Sequence, residues 1–136
     1  MTVSAARCLF VLVAMGAAVG AQAPGSQAAS ALERSLMKLD PEERAHQTCA
    51  AKGLDVVRRD KRLSKADRLV PDTFNRAKFD GAVVIAKGAA VRANKHWYAL
   101  TFSCTLSADL LKATEFKFEL GEEIPKERWD DVGLWQ

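Results

Sequence analysis

Residues that carry chemistry are scarce in this chain of 136 residues: it has two histidines, three cysteines and one tyrosine. No G-x-S-x-G elbow, H-E-x-x-H pair or Gly-rich phosphate loop occurs, which removes the enzyme classes built on those motifs. Charge of one sign is also lacking. Twenty Lys and Arg face 17 Asp and Glu, too even a balance to argue for a nucleic-acid partner. Nor is there a long hydrophobic run. The apolar stretch from Cys8 to Val19 (CLFVLVAMGAAV) is well short of the roughly 20 residues a membrane-spanning helix needs.

That short run has another use. Arg7 before it and small residues after it give residues 1–21 the layout of a secretory signal peptide. Cleavage between Ala21 and Gln22 fits best, because cutting after Ala23 would place Pro24 next to the scissile bond. Cys8 stands at the start of the apolar run, not after it, and so cannot be a lipidated cysteine. The expected location is the periplasm or the extracellular space, with no transmembrane segment in the mature chain. Residues 22–29 (QAPGSQAA) read as a flexible leader, and 30–136 as a single domain. Removal of Cys8 leaves Cys49 and Cys104, and an even pair in an oxidising compartment reads as a disulfide.

Two helix starts are visible. Ser30 and Glu33 have capping-box spacing, with Leu32, Leu36 and Leu39 following at helical intervals. Asp40-Pro41-Glu42-Glu43 is the better signal, with a capping Asp, a Pro at the first helical position and a Glu at the third. On a helical wheel Ala45, His46, Cys49, Ala50, Gly53, Val56 and Val57 share one arc, opposite Arg44, Ala51, Asp55, Arg58 and Arg59. Cys49 is thus placed in a buried stripe. Gly53 marks either a close approach to another element or an early helix end.

From about Ala82 the period changes to two. Ala82 to Ala86 and Ala89 to Ala93 read as short strands around a turn at Lys87-Gly88, and Asn94-Lys95 turns into a stronger strand. In it Tyr98, Leu100, Phe102, Cys104 and Leu106 share a face. Thr114, Phe116, Phe118 and Leu120 do the same in the next. The expected fold is α+β, with N-terminal helices packed on a three- to four-stranded antiparallel sheet. One helix-to-strand disulfide, Cys49 to Cys104, would close a loop of about 55 residues, worth roughly 4 kcal/mol on the chain-entropy model.

Candidate chemistry is thin. His46, Cys49, His96 and Cys104 form a nominal zinc set, but His96 and Cys104 on one strand lie roughly 26 Å apart at 3.3 Å per residue. No metal and no cofactor is expected, and no catalytic residue is assigned. His46, one turn before Cys49, reads as a packed histidine beside the disulfide. The paired acids Glu42-Glu43, Glu122-Glu123 and Asp130-Asp131 read as solvated surface. Arg58, Arg59 and Arg62 belong to a basic stretch that complements a helix C-terminus or contacts an anionic envelope surface. Trp97 falls on the face opposite Phe102. Either it is exposed and anchors a partner with Arg92 and Trp129, or the Trp129–Trp135 tail folds back over it as a small second core.

LDPEERAHQTC, KGAAVRANKHWYALTFSC and FKFELGEEIPKERWDDVGLW together resemble a family of small bacterial proteins catalogued as a domain of unknown function, number nine-thirty. The family pattern matches Leu39-Asp40-Pro41, Cys49, Gly88-Ala89 with Arg92, Trp97-Tyr98 with Cys104, and Gly121 through Trp129. The resemblance implies one disulfide-closed domain and supplies no activity. The expected role is therefore non-enzymatic binding of a protein or envelope component. An inhibitor of a periplasmic hydrolase is the alternative, and an enzyme of unrecognised type the third reading. A buried carboxylate pair or a histidine–carboxylate contact in a cleft would favour that third reading.

Overall fold

The computed structural model describes residues 31–136. The expected signal peptide, the leader and Ser30 lie outside the described residues. Residues 31–36 are helical and a turn leads into the long helix, Pro41–Val57. Its start follows the local chemistry: Asp40 Oδ1 accepts the Glu43 N–H at 3.1 Å, and Pro41 opens the first turn. Ala45, His46, Cys49, Gly53 and Val57 are buried as the wheel placed them. Thr48 is buried as well, because its hydroxyl donates to the Leu110 carbonyl at 2.8 Å. Arg44, assigned to the outer arc, is half-buried. Its guanidinium collects the carbonyls of Leu36, Met37, Leu39 and Asp109, joining the first helical segment and the 107–112 loop to the long helix.

Behind the helix lies a five-stranded antiparallel sheet: β1 (Ala66–Val70), β2 (Lys78–Asp80), β3 (Val83–Ala93), β4 (His96–Leu106) and β5 (Ala113–Glu123). β1 and β2 pair in succession along one edge of β3, followed by β4 and β5. This is one strand more than the upper expectation. The expected pair of short strands is in fact the single strand β3, which passes through Lys87-Gly88 as an irregularity between Ala86 and Ala89. Gly88 is not a turn glycine. A Cβ there would sit 2.5 Å from the backbone nitrogen of Asn75, and the Gly88 carbonyl accepts the Phe74 N–H at 2.8 Å. The residue is small so that the 71–77 loop can dock on the bulge.

The main core fills the space between helix and sheet, where Leu63, Val84, Val91, Leu100, Phe102 and Phe116 are buried. Phe102 and Phe116 stack at 4.9 Å. Cys49 and Cys104 form the disulfide across this layer, tying the helix to β4. Gly53 is a close-approach glycine: an added Cβ would meet Leu69 and Phe116 side chains at 2.7 Å. No described helix is long and apolar enough to cross a membrane.

Candidate binding site

The second face of the sheet is covered at one end by the chain's last segment. Ala90, Trp97, Ile124, Trp129 and Leu134 form a separate buried cluster there. Two antiparallel strands bring Arg92 opposite Trp97, and the guanidinium lies 5.6 Å from the indole centroid. Asp67 on β1 holds the same guanidinium through two hydrogen bonds of 2.9 and 2.7 Å. That partner keeps the Asp67 carboxyl below the usual carboxylate range and raises the Arg92 guanidinium further.

Backbone and indole groups close the tail over Trp97. The Ile124 N–H donates to the Trp97 carbonyl at 2.7 Å, and the Trp97 Nε1–H donates to the Trp135 carbonyl at 2.7 Å. Trp129 donates its own Nε1–H to the Ile124 carbonyl at 2.9 Å. Gly133, at φ 71°, makes the last reversal that lets the Leu134 N–H reach the Trp129 carbonyl at 2.8 Å. Trp97 is 0% exposed and Trp129 6%. Of the two readings of Trp97, the exposed anchor is therefore excluded and the second core is what forms. Indole N–H groups need acceptors when buried, and the tail's carbonyls supply them.

The polar rim of this second core is a cleft of about 320 Å³ lined by Lys95, His96, Glu123, Lys126, Trp129 and Gln136. His96 Nδ1 lies 2.6 Å from Glu123 Oε1. Lys126 Nζ sits 5.8 Å from the Trp129 ring centroid, which steadies the ammonium at the rim. Asn94 and Lys95 form the hairpin tip at φ 52° and 67°. A two-residue turn with both φ positive ordinarily takes Asn-Gly, and here a lysine occupies the glycine position.

Arg92, Trp97 and Trp129 are thus brought together, as structural members of one cluster. Arg58, Arg59 and Arg62 do not join them. Arg58 donates to the Ala66 carbonyl at 2.7 Å, Arg62 pairs with Asp60 at 2.9 Å, and none of the three lines the cleft. Sequence reasoning missed Lys95 and the His96–Glu123 contact. The available signal was the antiparallel pairing of β4 with β5, which sets the start of one strand beside the end of the other.

Two larger hollows carry less specific chemistry. A groove of about 470 Å³ runs between residues 32–39, the outer side of the long helix and β1, with mainly Leu and Ala walls. A second, near 390 Å³, is lined by Asp40, Glu42, Glu43, His46, Asp72 and Arg76. Its carboxylates are largely engaged: Asp40 caps the helix, and Glu42 holds Arg76 at 2.9 Å. His46 lies in its wall, 6% exposed, with Nδ1 3.7 Å from Asp72. Among the described residues no group of three His, Cys, Asp or Glu side chains is placed to hold a metal ion.

A model of a domain of unknown function, DUF930, matches residues 36–134. The chain belongs to the DUF930 family. The DUF930 match runs from Leu36, whose carbonyl Arg44 holds, to Leu134 in the tail, so both cores and the disulfide fall within it. No curated protein and no solved structure matches the chain.

Proposed function

We propose that this DUF930 domain is a non-enzymatic binding module of the periplasm or extracellular space. It holds an anionic group of a protein or envelope component in the cleft between the β3–β4 hairpin tip and the tail. The observation that carries this reading is Lys95. An L-residue in the left-handed region costs roughly 1–2 kcal/mol, and residues kept in such conformations cluster at ligand sites. Here that backbone places a lysine on the wall of a cleft already holding Lys126, with Trp129 beneath and the Glu123 carboxylate in contact with His96. The signal-like N-terminus and the disulfide support the location, since disulfides persist in oxidising compartments.

The test is a titration followed by amide NMR, using inorganic phosphate, acetate and phosphatidylglycerol vesicles in separate arms. Shifts concentrated at residues 94–97 and 123–129, and abolished in Lys95→Ala/Lys126→Ala, are expected. If none of the three probes perturbs these amides, or the double variant responds unchanged, the reading fails. A vesicle response without a phosphate response would assign a lipid surface over a free anion.

One observation favours a second reading. The His96–Glu123 contact is the arrangement that orients an imidazole for general-base work. The residues lining the cleft include no hydroxyl or thiol, so such a base would have to activate water or a substrate group directly. Turnover lost in His96→Gln while anion binding persists would select this reading.

A further inference from the structure

The two edges of the sheet differ. On one side β1 and β2 are strands of five and three residues, with an irregularity between Ala66 and Arg68, and edges of that kind resist pairing with another chain. The other edge is β5, 11 residues long, without proline, and paired only with β4. Its register with β4 is regular from Leu120 to Glu115, and the irregularities lie toward the ends. Phe116, Phe118 and Leu120 face the helix side, with Phe118 and Leu120 only partly buried. Glu115, Lys117 and Glu119 are exposed on the other face.

We propose that β5 is a self-association edge. Two copies pair antiparallel about a two-fold axis at Phe118 and continue the sheet across the dimer. In that register Lys117 of each copy opposes Glu119 of the other, twice over by symmetry. Phe118 faces its own counterpart, and Phe116 faces Leu120, so partly exposed apolar surface is covered on the helix side.

Charge and apolar matching together select this register. An axis at Lys117 sets lysine against lysine and Glu115 against Glu119. An axis at Glu119 sets glutamate against glutamate, and Glu115 against Glu123. An axis at Phe116 pairs Lys117 with Glu115 but sets Phe118 against Thr114, losing the apolar match. Registers centred between residues oppose a charged side chain to an apolar one. Directly opposed residues in an antiparallel pair have Cβ atoms about 4.5–5.5 Å apart, so like charges there count against a register. The same charges that keep unrelated strands off the edge therefore specify one pairing.

The experiment is sedimentation equilibrium of the exported protein up to millimolar concentration, with three variants of these exposed positions whose folding circular dichroism confirms. A reversible monomer–dimer equilibrium is expected for the natural sequence. Lys117→Glu and Glu119→Lys should each weaken it about tenfold or more, by placing like charges opposite one another. The double change restores the opposition of unlike charges and should recover the dimer. A natural sequence that stays monomeric at millimolar concentration overturns the proposal and leaves the edge to a foreign strand or to none. A dimer indifferent to both single changes, or a double variant no better than either single one, overturns it equally.

Discussion

On one face of the sheet lies a helix of 17 residues, fixed by a disulfide and packed through a continuous apolar layer. On the other lies the tail, which holds its place with two indole N–H bonds, one strand-to-tail amide bond and the contact of Arg128 with the Phe74 ring. The helix can bury a stripe because its period presents Ala45, Cys49, Gly53 and Val57 to one side. The tail has only two three-residue 3₁₀ turns, Lys126–Arg128 and Asp130–Val132, too short to present a stripe. It anchors itself with large rings whose polar edges find backbone acceptors. A covalent and apolar layer stands against a hydrogen-bonded and aromatic one, and the two should fail differently.

The largest effect should come from the helix layer. Cys49→Ala/Cys104→Ala removes a cross-link with a sequence separation of 55 residues. The chain-entropy model puts the loss at about 4 kcal/mol, a large share of the 5–15 kcal/mol typical of a domain. Urea unfolding of the variant against the oxidised protein measures it. A loss below about 1 kcal/mol would mean that apolar packing alone holds the helix.

A smaller and more local effect should follow from Trp97→Phe. The change leaves the Trp135 carbonyl without its donor and the Trp129 side of the cluster underfilled, at about 1–3 kcal/mol. Hydrogen exchange should then quicken at the Ile124 and Leu134 amides, which close the tail, while the Cys49 amide keeps its protection. Equal quickening in the tail and the helix would show that the two layers open as one unit.

Much of this contrast was legible in the residues themselves. The Asp40-Pro41 start, the buried position of Cys49, and the facing of Phe102 and Cys104 all follow from local period and capping chemistry, whereas Gly53 alone leaves a close approach and an early helix end equally open. What stayed hidden depends on contacts distant in sequence. Lys87-Gly88 reads as a turn because glycine favours turns, yet Gly88 is set by Asn75, a neighbour only through the fold. β1 and β2 escaped because strands of five and three residues, ADRLV and KFD, are too short to show a period. Without β1, the partner of Arg92 could not be found, and Arg92 read as a surface group. Arg44 is a similar case: a charged residue on the outer arc looks solvated until the carbonyls of a second segment come within its reach.

That missed pair of Asp67 and Arg92 supplies the smallest and most selective prediction. Asp67 is held below its ordinary carboxylate pKa by Arg92, and the carboxylate side chain is 54% exposed. Exposed ion pairs contribute up to about 1 kcal/mol, so Asp67→Asn should cost less than that near neutrality. The sign of the pH dependence follows from the lowered value. Asp67 contributes its full share above the unfolded carboxylate pKa, about 3.9, and loses it as pH falls through the lower folded value. The stability gap between the natural protein and Asp67→Asn should therefore hold from neutral pH down to about 5 and close as pH falls through the lowered folded-state value of Asp67. Guanidinium unfolding of the two proteins across that range measures the gap directly. If the gap persists at the acid end, the Asp67 side chain supports the tail face through its shape and hydrogen bonds, and its charge is incidental.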